Sequence, residues 1–217
     1  KILHNQYHHP KERLIMYLKD IRDIRHWIFD MDGTLTLAVH DFDMIKRVLN
    51  IPEDEDILVN LNNLPEADRD ARLRWLAEYE LKLAKASIPA QGSVALLNYL
   101  KSQDSALAIL TRNLQDLAIV TLDAIDVLPH FETPLIFGRE SAAPKPSPEG
   151  ILQILDIWGI EAADTVIVGD HEYDLASGKN AGIQTILVNH PTNIYPHLAD
   201  HHFSSCEALL EALKNPA

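Results

Sequence analysis

Two aspartates one residue apart, Asp30 and Asp32, stand directly behind the apolar run Trp27, Ile28 and Phe29 and are followed by Gly33 and Thr34. Carboxylates in such a place can act as nucleophile, as general acid or base, or as ligands for a hard cation. They can equally end a buried strand as turn or capping residues. Thr111 follows the run "ALAIL", Asp170 follows "TVIVG", and Lys145 lies in "KPSP" just ahead of a helix that begins near Pro148. Singly, each has a plain structural explanation. Jointly they pose a charge problem, because at least three carboxylates at one edge repel each other and raise one another's pKa unless cations neutralise them. Lys145 supplies one positive charge, and Mg²⁺, a hard ion satisfied by one or two carboxylates plus waters and phosphate oxygens, can supply the rest. A carboxylate nucleophile, a metal, a lysine and a hydroxyl donor together make a phosphoryl-transfer site.

Such a site needs elements that bring these residues to one edge. Short aliphatic runs recur at 27–29, 106–110, 134–137, 165–169 and 184–189, and read as buried strands. Between them Val94, Leu97 and Leu100, then Leu117, Val120 and Ala124, then Ile151, Leu152, Leu155 and Trp158 repeat at helical spacing. Alternating strand and helix predicts an α/β fold, a doubly wound and mostly parallel sheet covered on both faces. In an open parallel sheet, ligands bind beyond the carboxyl ends of the strands, where Asp30, Asp32, Thr111 and Asp170 all fall. From Thr36 to Ile88 no strand pattern occurs, only helical ones with Pro65 suited to a first helical turn. This predicts a core of residues 1–35 and 89–217 carrying a helical insertion at 36–88. Residues 10–25 predict an amphipathic helix with Leu14, Ile15, Leu18 and Ile21 on one side.

A net charge of −13 repels phosphate backbones and anionic lipid, so neither a nucleic acid nor a membrane surface is an expected partner. Cys206 is the only cysteine, which excludes an intrachain disulfide and a thiolate cluster. With no run near the length of a membrane span and no signal-peptide layout, a cytoplasmic protein is expected. The oligomeric state is not legible in the sequence.

In its motifs the chain resembles the haloacid dehalogenase superfamily of phosphatases, including the phosphoglycolate phosphatases. All four motifs occur in order: "DMDGTL" at 30–35, "ILTRN" ending in Thr111, Arg112 and Asn113, "KPSP" at 145–148 and "GDHEYD" at 169–174. The resemblance implies a small helical cap inserted after the first strand and a Mg²⁺-dependent phosphatase acting on a small phosphorylated metabolite through an aspartyl-phosphate. It implies Asp30 as nucleophile, Asp32 as general acid and base with its backbone carbonyl on Mg²⁺, and Lys145 as the charge screen. Thr111 is implied to bind the phosphoryl group, and Asp170 to complete the metal shell with Asp174 in support. Asp32 points to phosphate esters, because dehalogenase members lack an acid there. Leu37 and Ala38 stand where the phosphoglycolate phosphatase and phosphoglucomutase branch has an aspartate and a small hydroxyl residue.

Arg112 and Asn113 are expected near substrate, Asn113 also as a cap for the helix starting at Leu114. Arg69, Arg72 and Arg74 lie on a helix thick with acids and read as a salt-bridged surface. The adjacent pairs His8 and His9, and His201 and His202, read as surface residues rather than metal ligands; only His171, within the fourth motif, is expected close to the site. Two other functions use the same residues differently: a sugar phosphomutase sharing the aspartate nucleophile, and a non-catalytic binding or regulatory module that retains the fold.

Overall fold

The computed structural model describes residues 18–38 and 41–215. Six parallel strands form one sheet in the order β3-β2-β1-β4-β5-β6. These are β1 (His26–Phe29), β2 (Ala106–Leu110), β3 (Ile136–Phe137), β4 (Thr165–Gly169), β5 (Gln184–Leu187) and β6 (His201–His202). Side chains alternate across a strand, and the two faces of the sheet follow from that. Trp27 and Phe29 of β1 join Leu107, Ile109, Val166 and Val168 in one buried layer, whereas Ile28 joins Ala108, Leu110 and Ile167 in the other.

Among the described residues five helices complete the core: α4 (Ser93–Ser102), α5 (Gln115–Ala124), α6 (Glu149–Trp158), α7 (Glu172–Ala181) and α8 (Cys206–Lys214); three more, α1 (Phe42–Leu49), α2 (Ile57–Asn62) and α3 (Glu66–Lys85), lie between β1 and α4. The layer on the Trp27 side takes Leu96 and Leu97 of α4, Ala118 and Leu122 of α5, and Leu209 and Leu213 of α8. The opposite layer takes Ile151, Ile154 and Leu155 of α6.

Helices α1 to α3 bury a cluster of their own: Ile45, Leu49, Ile51, Leu61 and Leu76. Asp41 starts α1 by accepting from the Met44 N–H (2.8 Å), and Asn50 ends it in the left-handed conformation. Pro65 precedes α3 as its cap residue. Rather than standing in solvent, Arg72 donates to the Leu49 carbonyl and ties α3 to the end of α1. Arg69 pairs with Asp70 at 3.2 Å on the surface, as its sequence predicts. Where the chain leaves and re-enters the core, the two crossings bond to each other: Leu37 N–H to the Ile88 carbonyl and Ala90 N–H to the Leu35 carbonyl, both 2.9 Å.

Several expected details shift. The third strand holds two residues rather than four, because Pro134 has no N–H to give and residues 133–135 form a 3-10 turn instead. Leu152 is 49% exposed and Ile154 takes its inward place, since Ile151, Ile154, Leu155 and Trp158 follow the helical period more closely. On α5 the inward stripe is Leu117, Ala118, Thr121 and Leu122, and Ala124 faces solvent. Residues 18–25 form only a single 3-10 turn, Ile21–Asp23, capped by Asp20, with Leu18 exposed; Leu14, Ile15, His8 and His9 lie outside the described residues. His201 and His202, expected on the surface, form β6 and are half-buried, with His202 hydrogen-bonded to the His190 carbonyl at 2.8 Å.

Candidate active site

Register places the site. Phe29 of the central strand lies level with Ile109 of β2 and Val168 of β4, so the next residues, Asp30, Leu110 and Gly169, reach the carboxyl edge together. Asp30 continues the ladder through its N–H to the Val168 carbonyl (2.9 Å), and Thr111 does so through its N–H to the Phe137 carbonyl (2.9 Å).

Past Asp30 the backbone folds over itself, with the N–H groups of Thr34, Leu35 and Thr36 all directed at the Met31 carbonyl (3.2, 2.8 and 3.0 Å). Gly33 makes this turn possible with φ +85°, a conformation that side-chain-bearing residues avoid. A Cβ on Gly33 would also stand 2.3 Å from Oδ2 of Asp170, so the glycine admits that carboxylate to the turn. Thr34 then donates from Oγ1 to Asp170 Oδ1 at 3.0 Å.

Lys145 crosses under the edge from the loop before α6 and is buried, 5% exposed. Its Nζ lies 2.5 Å from Asp30 Oδ1, 2.6 Å from Asp174 Oδ1 and 2.8 Å from the Leu110 carbonyl. Three ammonium protons thus meet three acceptors. Asp174, in the first turn of α7, accepts with its second oxygen from the His171 N–H at 3.0 Å, so it orients the fourth motif as well as pairing with the lysine. Gly169 admits it, since a Cβ there would fall 2.3 Å from the Asp174 Cβ.

The charges are unequal. Burial raises the Asp30 carboxyl well above the usual carboxylate range; the Lys145 ammonium opposes this, and Asp174 and Asp170 add to it. Burial also raises Asp170, again with Asp174 adding to the shift. For Lys145 burial alone favours loss of the proton, yet Asp174 and Asp30 on either side outweigh it and hold the ammonium above its ordinary value.

One carboxylate oxygen from each of Asp30, Asp170 and Asp174 lies within 4.8 Å of the others. An all-oxygen, mostly buried acidic set with one lysine for three carboxylates suits a hard divalent cation such as Mg²⁺. The Asp32 side chain is not in this group. Its Oδ2 accepts from Asn113 Nδ2 at 2.6 Å, so Asn113 holds Asp32 rather than capping the next helix, whose cap residue is Leu114. Thr111 is buried, and its Oγ1 accepts from the Asn113 N–H at 3.2 Å. Arg112 spreads its guanidinium over the Tyr173 ring, 5.6 Å from the centroid.

All the residues expected from the sequence, Asp30, Asp32, Thr111, Arg112, Asn113, Lys145, Asp170 and Asp174, line one cleft of about 670 Å³ that opens between the sheet edge and α1 and α3; His171 lines it too. Sequence reading missed two supports. Asn189 donates through Nδ2 to the carbonyls of Gly33 (2.7 Å) and Thr34 (3.0 Å), and His190 Nε2 lies 2.8 Å from the Asp170 carbonyl. Both follow the end of β5, so the strand-end rule that picks out Asp30 and Asp170 also picks out Asn189.

The family model described as "Haloacid dehalogenase-like hydrolase" matches residues 41–188. A haloacid dehalogenase-like hydrolase domain-containing protein of Arabidopsis thaliana is 31% identical over 182 residues, covering 76% of this chain and 71% of its own. A phosphoglycolate phosphatase of Aquifex aeolicus is 35% identical over 91 residues, 42% of each chain. Among solved structures, a predicted phosphoglycolate phosphatase from Haemophilus somnus superposes with a TM-score of 0.72 at 19% identity, covering 88% of this chain and 99% of its own, a likeness of fold.

Proposed function

This chain belongs to the haloacid dehalogenase-like hydrolases and is of the phosphatase kind, and we propose that it is a Mg²⁺-dependent phosphomonoesterase that acts on a small phosphorylated metabolite through an aspartyl-phosphate at Asp30. The observation that carries this reading is the division of labour between two aspartates one residue apart. Asp30 is buried against Lys145, while Asp32 turns away into the cleft and is gripped by Asn113. One acid is placed to attack and the other to move a proton.

In the first half-reaction an oxygen of Asp30 attacks phosphorus, the bond from phosphorus to the ester oxygen breaks, and Asp32 gives its proton to the departing alkoxide. In the second, Asp32, now a carboxylate, takes a proton from water whose oxygen attacks phosphorus. The acyl–phosphate bond then breaks, freeing Asp30 and phosphate, and Asp32 keeps the proton it took from water, ready for the next leaving group. Asn113 keeps Asp32 aimed through both halves, and the Thr111 hydroxyl binds a phosphoryl oxygen. Lys145 offsets the negative charge shared by Asp30 and the phosphate. Asp30 and Asp170, with Asp174 behind them and the Asp32 carbonyl as the resemblance implies, would hold Mg²⁺, which when bound supplies the positive charge that lets the anionic phosphate approach these acids. Helices α1 to α3, residues 36–88, serve as the cap over the cleft.

The test is phosphate release from a panel of phosphomonoesters with Mg²⁺. Turnover is expected to vanish with a chelator and to return with Mg²⁺, and Asp30→Asn is expected to lower it by about four orders of magnitude or more while circular dichroism stays unchanged. Interconversion of sugar phosphates without phosphate release would make the chain a mutase. Turnover retained in Asp30→Asn would remove Asp30 as the nucleophile.

A further inference from the structure

Beyond the phosphoryl-transfer residues, the cleft wall carries a carboxylate from α3 that the reaction does not use. The Glu80 side chain is only 11% exposed. Its Oε1 lies 3.4 Å from Arg139 Nη1, a long contact, and its Oε2 is buried with no donor among the described residues. A buried acceptor without a donor is costly, and a ligand that brings a donor relieves it.

The position of Glu80 says which part of a substrate it meets. A void of about 10 Å³ brings Glu80 together with Asp32, Asn113, Ser87 and Thr121. Arg139, in the wider cleft, bonds through its N–H to the Asn113 carbonyl at 2.8 Å. Asp32 is the acid that protonates the departing oxygen, so Glu80 sits on the leaving-group side of the cleft. A void of this size admits about one small polar group.

Arg139 faces Glu80, Lys46 donates to the Glu53 carbonyl at 2.6 Å in a wall that also holds Glu55 and Asp56, and Arg112 lies over Tyr173. An anionic group placed against Glu80 Oε2 would meet like charge, whereas a hydroxyl or ammonium group would find an acceptor there. We propose that Glu80 is a specificity-determining residue that reads a hydrogen-bond donor on the alcohol half of the substrate, which makes the substrate class phosphomonoesters of polyols and amino alcohols rather than of hydroxy acids. The assignment rests on the phosphatase reading above.

Three substrates with the same phosphoryl group test it: glycerol 1-phosphate and phosphoethanolamine, which separate hydroxyl from ammonium, and phosphoglycolate, which replaces the donor with a carboxylate. Wild type is expected to favour at least one donor-bearing ester over phosphoglycolate in kcat/KM. Glu80→Gln is expected to lower that ratio about tenfold, the scale of a hydrogen bond to a charged acceptor. The ratio does not depend on how much of the variant is folded. A preference for phosphoglycolate in wild type, or a ratio unchanged in Glu80→Gln, overturns the assignment. Hydrolysis of p-nitrophenyl phosphate with none of the three turned over removes the Glu80 assignment and leaves the phosphatase reading intact. No hydrolysis of any of the four removes both.

Discussion

Replacing Lys145 with methionine removes one charge from the middle of the site and little else. Methionine retains most of the lysine stem's volume, so the cavity contribution is small. What disappears is an ammonium 2.5 Å from Asp30 and 2.6 Å from Asp174, both at least nine-tenths buried, together with a donor to the Leu110 carbonyl. Taking one partner from such a group leaves buried carboxylates without their counter-charge, and the expected cost at neutral pH without metal is about 3–5 kcal/mol. The pH dependence distinguishes this from a packing defect. Burial already holds Asp30 above its ordinary value, and loss of the opposing ammonium moves it higher. Folded Lys145→Met therefore retains a proton that the unfolded chain has released. Its deficit relative to wild type is smallest below about pH 8, where both folded proteins keep the Asp30 proton, and grows as pH rises past that wild-type value, where only the variant keeps it. Urea unfolding across pH, with chelator and then with saturating Mg²⁺, measures this; Mg²⁺ is expected to recover part of the loss. A deficit independent of pH, or under about 1 kcal/mol at pH 7, would refute the view that Lys145 neutralises the site.

Two further outcomes follow from the metal and the turn. Mg²⁺ at a hundredfold excess over its Kd is expected to stabilise wild type by about 2.7 kcal/mol, and Asp170→Asn is expected to lose most of that shift, as thermal melts with and without the ion will show. Gly33→Ala forces a left-handed backbone onto alanine and drives its Cβ into the Asp170 carboxylate, so about 1–3 kcal/mol of stability and most activity should be lost; a variant as stable and active as wild type would show that the turn can move aside.

The chemistry of the edge was legible because a parallel sheet maps chain position onto space. Each strand runs from one edge to the other, so whatever follows an apolar run arrives beside whatever follows its neighbours. That regularity puts Asp30, Thr111 and Asp170 together without knowledge of the strand order. Gly33 could be read as a turn, though not as the gap that admits Asp170. The third strand is shorter than its apolar pattern suggests, because a tetrapeptide beginning with proline looks like a strand until its missing N–H is counted. β6 left no signal, since two histidines at a sheet edge have no apolar periodicity.

Tertiary structure decided who holds whom. Asn113 meets Asp32 across 81 residues of chain and Lys145 meets Asp30 across 115, and neither separation has a period that a sequence displays. Asp174 stands in the sequence as one more acid of the fourth motif; packing of α7 against β4 makes it Lys145's second partner. Glu80, one acid among many on α3, is singled out only because the helical insertion folds back over the sheet edge and buries its oxygen beside Asp32. The sequence determined which groups would be present at the edge, since that follows from local pattern and the direction of strands. Their pairings, and the donor that Glu80 lacks among the described residues, depend on how the helices and strands come to rest against one another, and only the folded chain contains those distances.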